Sequence, residues 1–432
     1  MSRYLHATLQ FVSMGKKRHT NDRHYVEEGI PGEILVKRER RLIREKENEI
    51  RLVVHRLRAL KADGYIASDE ELDECFCQVR QLAIAPKGLV SNEFRRDLWP
   101  FLLGCKDDTC AELNGSRYTR NNSIETRLDA AQVEKDVDRS LWHYDILQGI
   151  QESERQDKRR ALTQLILGVL DANNELHYFQ GYHDIVSVFL LTLGNSKLTL
   201  QVVQNISETY QREPMRSGLD QVMATTRLLF PLLDAADELL FQHLHESGVE
   251  PFFALPWMIT WFAHQLKRFE DVARLYDVFL VTHPLFSLYV SASVLLGSRE
   301  KILRCERDFG TMHGMLSKLP LSMGIEKVIE RALMLFHQLP PAQLRQQSEV
   351  ELVSLSGLYY FTFPFEYQPW PSVITPVLKE VPPLPPRRAR DRGKGGNMLG
   401  FWQTSVVVTA VAIGVVAVVS AYAFRDRIGI RA

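Results

Sequence analysis

Seven residues, Tyr178-Phe179-Gln180-Gly181-Tyr182-His183-Asp184, separate two strongly apolar helical patterns and so sit where the chain's core must open. Before them, Leu162, Leu165, Ile166, Val169 and Leu170 recur at the spacing of one buried helix face. Asn173 and Asn174 end that run, because their side chains compete for backbone hydrogen bonds. After them, Ile185 to Leu193 is almost wholly apolar and predicts a central buried helix. An amide, a glycine, two tyrosines and a His-Asp pair therefore occupy a turn between two buried helices. Such a turn is a rigid platform for placing one side chain.

The same helical period runs from about Ser68 to His337. Ser68 is a natural N-cap for a helix over Asp69 to Leu82, with acidic residues in its first turn. Ser91 to Leu103, Ala130 to His143, Asp271 to Val281, Ser287 to Arg299 and Ile325 to His337 carry apolar residues on one side. Phe253, Trp257 and Trp261 repeat the i, i+4 spacing, and Trp142, Trp257 and Trp261 read as core or groove aromatics. Few stretches alternate with period two and no internal repeat of fixed period is visible. The expected fold is an all-α array over 68–337.

The flanks read differently. Residues 1–32 are polar and irregular, which predicts disorder. Residues 33–62 form a charged helical pattern with Ile43, Ile50, Val54 and Leu57 on one stripe. Residues 1–62 hold 15 Lys/Arg against 8 Asp/Glu. This arm is expected to be a solvated basic helix, or one drawn to an anionic cytoplasmic leaflet. Residues 340–397 read as a linker, in which Pro382-Pro383-Leu384-Pro385-Pro386-Arg387 serves as a stiff spacer or as a ligand for an SH3-type partner. Residues 399–424 contain the uncharged run Ser405 to Phe424, long enough to span a bilayer as a transmembrane helix. Only the short tail 425–432 follows, so the expectation is a tail anchor with the folded domain in the cytosol. A span rich in Val and Ala suits a thin bilayer such as the endoplasmic reticulum membrane, or the early Golgi. No apolar signal-peptide core is visible in the first thirty residues.

Composition excludes several classes. The chain has 53 basic and 53 acidic residues, and a neutral balance argues against nucleic acid as a partner. Its five cysteines make no disulfide framework or zinc-finger spacing. No GxxxxGK[ST] or GxGxxG is present, so the chain is not expected to bind nucleotide by itself. His177, His183 and Asp184 invite a metal-dependent phosphohydrolase reading. No companion motif has ligand spacing, and no metal is expected.

Asp136 and Arg139 are i, i+3 neighbours on a helix whose Val133 and Val137 face inward, so the two can pair. Asp-x-x-Arg followed about forty residues later by Tyr-x-Gln-Gly resembles the TBC domain of Rab GTPase-activating proteins. Val133, Asp136 and Arg139 stand on that family's Ile-x-x-Asp-x-x-Arg motif, and Tyr178, Gln180 and Gly181 on its Tyr-x-Gln-Gly motif. Arg95 to Trp99 resembles the opening Arg-x-x-x-Trp motif, and Leu275-Tyr276-Asp277 a later one. The string Leu176 to Asp184, with the anchor, is similar to the endoplasmic-reticulum-anchored branch of the family.

That resemblance implies an all-α Rab-GAP domain acting on a GTP-bound Rab of the early secretory pathway, in ER-to-Golgi traffic. It makes Arg139 an arginine finger and Gln180 a glutamine finger. Asp136 would hold the Arg139 rotamer, with Tyr178 in support, and Gly181 would let backbone pass close to the GTPase. Arg95, Arg96, Tyr182, His183 and Asp184 are expected to face the Rab, Asp184 alternatively favouring the positive end of its helix. Mg²⁺ and GTP would come with the Rab, leaving the chain no cofactor of its own. The alternative is a catalytically silent, membrane-anchored Rab-binding adaptor.

Overall fold

The computed structural model describes residues 32–61, 68–105, 124–216, 218–317, 319 and 324–348. The expectations for 1–31, for the linker beyond 348, for Pro382–Arg387, for 399–424 and for 425–432 lie outside these residues. Among the described residues the secondary structure is helical, and no helix is long and apolar enough to cross a membrane.

The chain opens with α1 (Gly32–Leu60). Its stripe Ile50, Val53, Val54, Leu57 and Leu60 is buried against α2 (Asp69–Ile84) and α3 (Asn92–Leu102). The expected solvated arm is therefore part of the folded body. Burial of each such side chain contributes about 1.5–3 kcal/mol, which outweighs the exposed ion pairs around it. Arg56 pairs with Glu74 at 2.6 Å and Arg58 with Asp97 at 2.8 Å along the seam.

The start and end of α2 follow from its sequence. Ser68 Oγ accepts from the Glu71 amide, and the Glu71 carboxylate accepts from the Ser68 amide, a reciprocal cap. Pro86 disfavours helical backbone at Ala85, where α2 stops. The carbonyls left over at that end are satisfied from elsewhere. Arg274 donates to Ala83, Ile84 and Ala85, and the Lys46 ammonium to Ala85 and Pro86.

Lys46 is buried, and burial, with Arg274 adding to it, pushes its ammonium down to about 7. An unfolded lysine titrates near about 10.4. Between those values the unfolded chain holds a proton that the folded chain lacks, so this group makes stability rise with pH. The stability of the wild type relative to Lys46→Met is expected to grow from about pH 7 to about pH 10. Urea denaturation of both proteins at two pH values checks it, and a constant difference would contradict it.

The middle of the domain is built from α4 (Ile124–Asp138), α5 (Glu152–Ala172), α6 (Tyr182–Leu193) and α7 (Lys197–Glu208). Helix α6 packs on α3, α5 and α7, and most of its residues are buried, as its unbroken apolar run predicts. The chain continues through α8 (Asp220–Arg227), α9 (Leu229–Ala236), α10 (Glu238–Glu246), α11 (Leu255–Ile259) and α12 (Phe269–Phe279). Helix α13 (Phe286–Gly297) is buried from Phe286 to Leu295 and is covered by α16 (Ile325–Gln338). Short helices α14 (Arg299–Leu303), α15 (Phe309–Leu316) and α17 (Pro341–Gln347) complete the described set.

Two expected helices end early. Helix α4 stops at Asp138, and Leu141 takes φ +62°, so Arg139 stands just beyond the last turn. The Phe253–Trp261 stripe is split between a 3-10 turn (Pro251–Ala254) and the short α11, after which Trp261 and Phe262 take φ +49° and +61°. Both breaks turn the chain toward the same place, the N-terminus of α6.

Candidate finger site

Asp136 is buried on the last turn of α4 and gathers three donors. Arg139 Nη2 reaches Oδ1 at 3.1 Å, Gln132 Nε2 reaches Oδ1 at 3.1 Å, and the Tyr178 hydroxyl reaches Oδ2 at 3.0 Å. Arg139 Nε also donates to the Lys135 carbonyl at 3.0 Å. Two of the five guanidinium N–H groups are thus engaged while the side chain remains 60% exposed. Arginine in this state is aimed but not enclosed.

Tyr178 joins α4 to the turn before α6. An ionised carboxylate can only accept, so the single Tyr178 proton goes to Asp136 and the oxygen accepts from His183 Nδ1 at 2.9 Å. Burial, with the Asp136 charge, pushes the Tyr178 phenol well up, which keeps that proton in place. Gln180 lies two residues along, exposed on the turn itself. The segments bearing the two candidate fingers, one just after α4 and one just before α6, are thus tied together by the Asp136–Tyr178 hydrogen bond.

Gly181 has φ +107°, a region L residues rarely adopt. A Cβ there would stand 2.8 Å from the Thr260 methyl. This constraint comes from inside the protein, as close packing of the turn against Thr260. Gly181→Ala is expected to cost about 1–2 kcal/mol in stability through backbone strain. Its displaced turn is expected to lower any activity that depends on Gln180. Adding Thr260→Ser, which removes the clashing methyl, should recover part of the lost activity in a rate assay. No recovery would show that the backbone strain alone matters.

The segment after Arg139 is braced from two directions. Arg155 of α5 lies over the Trp142 ring, with its guanidinium carbon 3.7 Å from the ring centre. It also donates to the Leu141 and Leu147 carbonyls, and Arg159 donates to the Ser140 carbonyl. On the other side the Tyr144 hydroxyl and His143 Nε2 both contact the Ala263 carbonyl, at 3.1 and 3.0 Å. Asp145 then accepts from the Phe269 amide at 3.0 Å. The chain following α4 is laced to residues 263–269.

Several residues expected to face a Rab lie elsewhere. Arg95 is 1% exposed and forms a two-pronged pair with the fully buried Asp277, at 3.1 Å on each prong. Asp277 also accepts from the Trp99 indole at 2.9 Å and from the Leu89 amide at 3.0 Å. The early Arg-x-x-x-Trp motif and the later motif containing Asp277 are thus two halves of one internal bracket. Gly88 belongs to it, since a Cβ there would fall 2.4 Å from Asp277 Oδ2. Arg96 is exposed, but its Nε caps the Thr192 carbonyl at 2.9 Å. That is the far end of α6 from Gln180, about 15 Å away at the helical rise of 1.5 Å per residue.

Tyr182 is fully buried and hydrogen-bonded to Ser207, so it also presents nothing to a partner. Asp184 is buried between His183, at 3.4 Å, and His264 Nδ1, at 3.0 Å. His183 is largely covered, with its ring 12% exposed. Residues missing from the sequence-based set are His264, Thr260, Arg155 and Arg159. None carries a local signal, because each acts through a contact distant in sequence.

Residues 92–303 match the Rab-GTPase-TBC domain family. TBC1 domain family member 20 of Bos taurus is 36% identical to this chain over 273 residues. This chain carries a Rab-GTPase-TBC domain. The Bos taurus alignment covers 63% of this chain and 66% of that protein. GTPase-activating protein gyp10 of Schizosaccharomyces pombe is 30% identical over 246 residues, covering 56% of this chain and 64% of its own. GTPase-activating protein GYP8 of Saccharomyces cerevisiae is 26% identical over 278 residues, covering 55% and 53%. The chain thus spans between about half and two thirds of the length of these curated relatives. Within the TBC domain, Arg139 follows the end of α4 and Gln180 precedes the start of α6, while α3 and α12 carry the Arg95–Asp277 bracket.

Proposed function

We propose that this chain accelerates GTP hydrolysis by a Rab GTPase, supplying Arg139 and Gln180 in trans. The observation carrying this reading is the tether itself. An exposed guanidinium is held by a buried carboxylate, and the tyrosine bonded to that same carboxylate lies two residues from an exposed carboxamide. Hydrolysis places added charge on the γ-phosphoryl oxygens and needs a water in line. A planar guanidinium can meet two of those oxygens, which an ammonium cannot. A carboxamide can accept from the attacking water and donate to the phosphoryl group, whereas a carboxylate would repel it. Asp136 holds Arg139 extended before the partner arrives, so less side-chain freedom is lost on docking. Mg²⁺ and GTP belong to the substrate complex.

The relatives named as GTPase-activating proteins support the same reading. The location we propose is the cytosolic face of the endoplasmic reticulum membrane or early Golgi, with residues 405–424 as a tail anchor and ER-to-Golgi traffic as the setting. Confinement to one surface would raise the local concentration of a membrane-bound Rab.

The test is single-turnover hydrolysis with the full chain in vesicles against a panel of GTP-loaded Rabs. At least one Rab of the early secretory pathway is expected to respond, and stimulation of none overturns the proposal. Gln180→Ala is expected to lose most of the stimulation, about 10²-fold or more, as for loss of a positioned transition-state donor. Arg139→Lys should recover little over removal of the side chain, because one ammonium does not reproduce the fork. Both are read in the same assay.

A further inference from the structure

Two exposed side chains bracket a covered polar chain. Arg139 is at one end, and at the other is His264, whose side chain is 44% exposed. From Arg139 through Asp136, Tyr178, His183 and Asp184 to His264, successive contacts measure 3.1, 3.0, 2.9, 3.4 and 3.0 Å. Burial alone would push the Asp184 carboxyl up, but His183 and the His264 hydrogen bond outweigh it and hold it well below the usual range. The same hydrogen bond holds His264 above the ordinary histidine value. An ionised Asp184 thus accepts from His264 Nδ1.

The segment bearing His264 is pinned on all sides. Its Thr260 methyl lies 2.8 Å from where a Gly181 Cβ would be, and its Ala263 carbonyl is taken by Tyr144 and His143. Trp261 and Phe262 hold left-handed backbone, which non-glycine residues keep only when their surroundings enforce it.

We propose that His264 is a positioning residue for both fingers. Docked on Asp184, it locks residues 260–265 against Gly181 and so fixes the turn bearing Gln180. Through His183 and Tyr178 it also steadies the Asp136 carboxylate that aims Arg139. This rests on the finger reading of those two residues.

The groups facing His264 and its partner carboxylate are His183 and Asp184 from α6, His143 and Tyr144 from the segment after α4, and Tyr276 from α12. Burial pushes His143 down and the two tyrosines up, so these stay uncharged near neutrality. Stimulation should therefore fall as pH rises through the raised His264 value, and that fall should vanish in His264→Asn, which keeps a donor without charge.

Two measurements test it. In the full chain in detergent, without any GTPase, the Arg139 Nε–H NMR signal is followed from about pH 5.5 to about 8.5, the histidine range. It is expected to move with the His264 titration in the wild type and not in His264→Asn. An Arg139 signal indifferent to His264 overturns the proposal, whether or not the finger reading holds. In single-turnover hydrolysis, His264→Ala is expected to lower the maximal stimulation about tenfold, as for slight misplacement of a catalytic group. The half-saturating GTPase concentration should stay within about twofold in that assay. A raised half-saturating concentration with unchanged maximum would show that His264 touches the partner instead, and would overturn positioning. Wild type and Arg139→Ala run alongside. If wild type stimulates no Rab, the finger reading falls, while the NMR measurement still decides the coupling.

Discussion

Arg139→Ala is expected to abolish stimulation of Rab GTP hydrolysis, a loss of about 10³–10⁵-fold, the effect of removing an arginine finger. The protein should fold and melt as before. Arg139 is largely exposed, and its removal leaves the buried Asp136 carboxylate still bonded to Gln132 and Tyr178. Affinity for the GTP-bound Rab should change little compared with the rate. Single-turnover hydrolysis with an equilibrium binding measurement separates the two. Undiminished stimulation by a folded variant would remove Arg139 from the mechanism, and lost binding with an intact maximal rate would make it a docking residue.

The largest loss of stability is expected at the Arg95–Asp277 bracket. Asp277→Ala removes the acceptor of four hydrogen bonds, two from Arg95, one from Trp99 and one from the Leu89 amide. It leaves the Arg95 charge buried with only Asn92 and the half-exposed Glu270 beside it. Breaking a buried pair from one side costs about 3–5 kcal/mol. Total stability is about 5–15 kcal/mol, so the variant is expected to be partly unfolded at physiological temperature. Urea denaturation measures it. Adding Arg95→Met should return part of the loss, because the stranded charge is removed. Fully additive losses would show that the two residues do not act as a pair.

Much of this architecture was legible in the residues. The capping box at Ser68, the unbroken apolar run of α6 and the stripe on α1 each map onto a local rule, and the structure follows them. The pairing of Asp136 with Arg139 was readable from spacing. The fate of the two outer motifs was not. An arginine followed by a tryptophan looks like a surface feature until its partner carboxylate, 182 residues later, is folded against it. The sequence leaves Tyr182 facing a partner and Asp184 either at the positive end of its helix or facing that partner. The helical turn that begins at Gly181 instead rotates them inward, onto Ser207 and His264. His264 carries no local mark, since its meaning comes from a carboxylate 80 residues away. Membrane attachment, the polyproline run and the location of the protein remain readings of the sequence.

The docking of α1 bears on where the molecule's working unit begins. The region matched to the family starts at residue 92, yet Ile50 and Leu57 lie wholly or almost wholly within the protein interior. The segment before residue 92 is an outer wall of the same folded body. A fragment trimmed to residues 92–303 would carry an oily flank into water and be prone to clump, even with Arg139 and Gln180 intact.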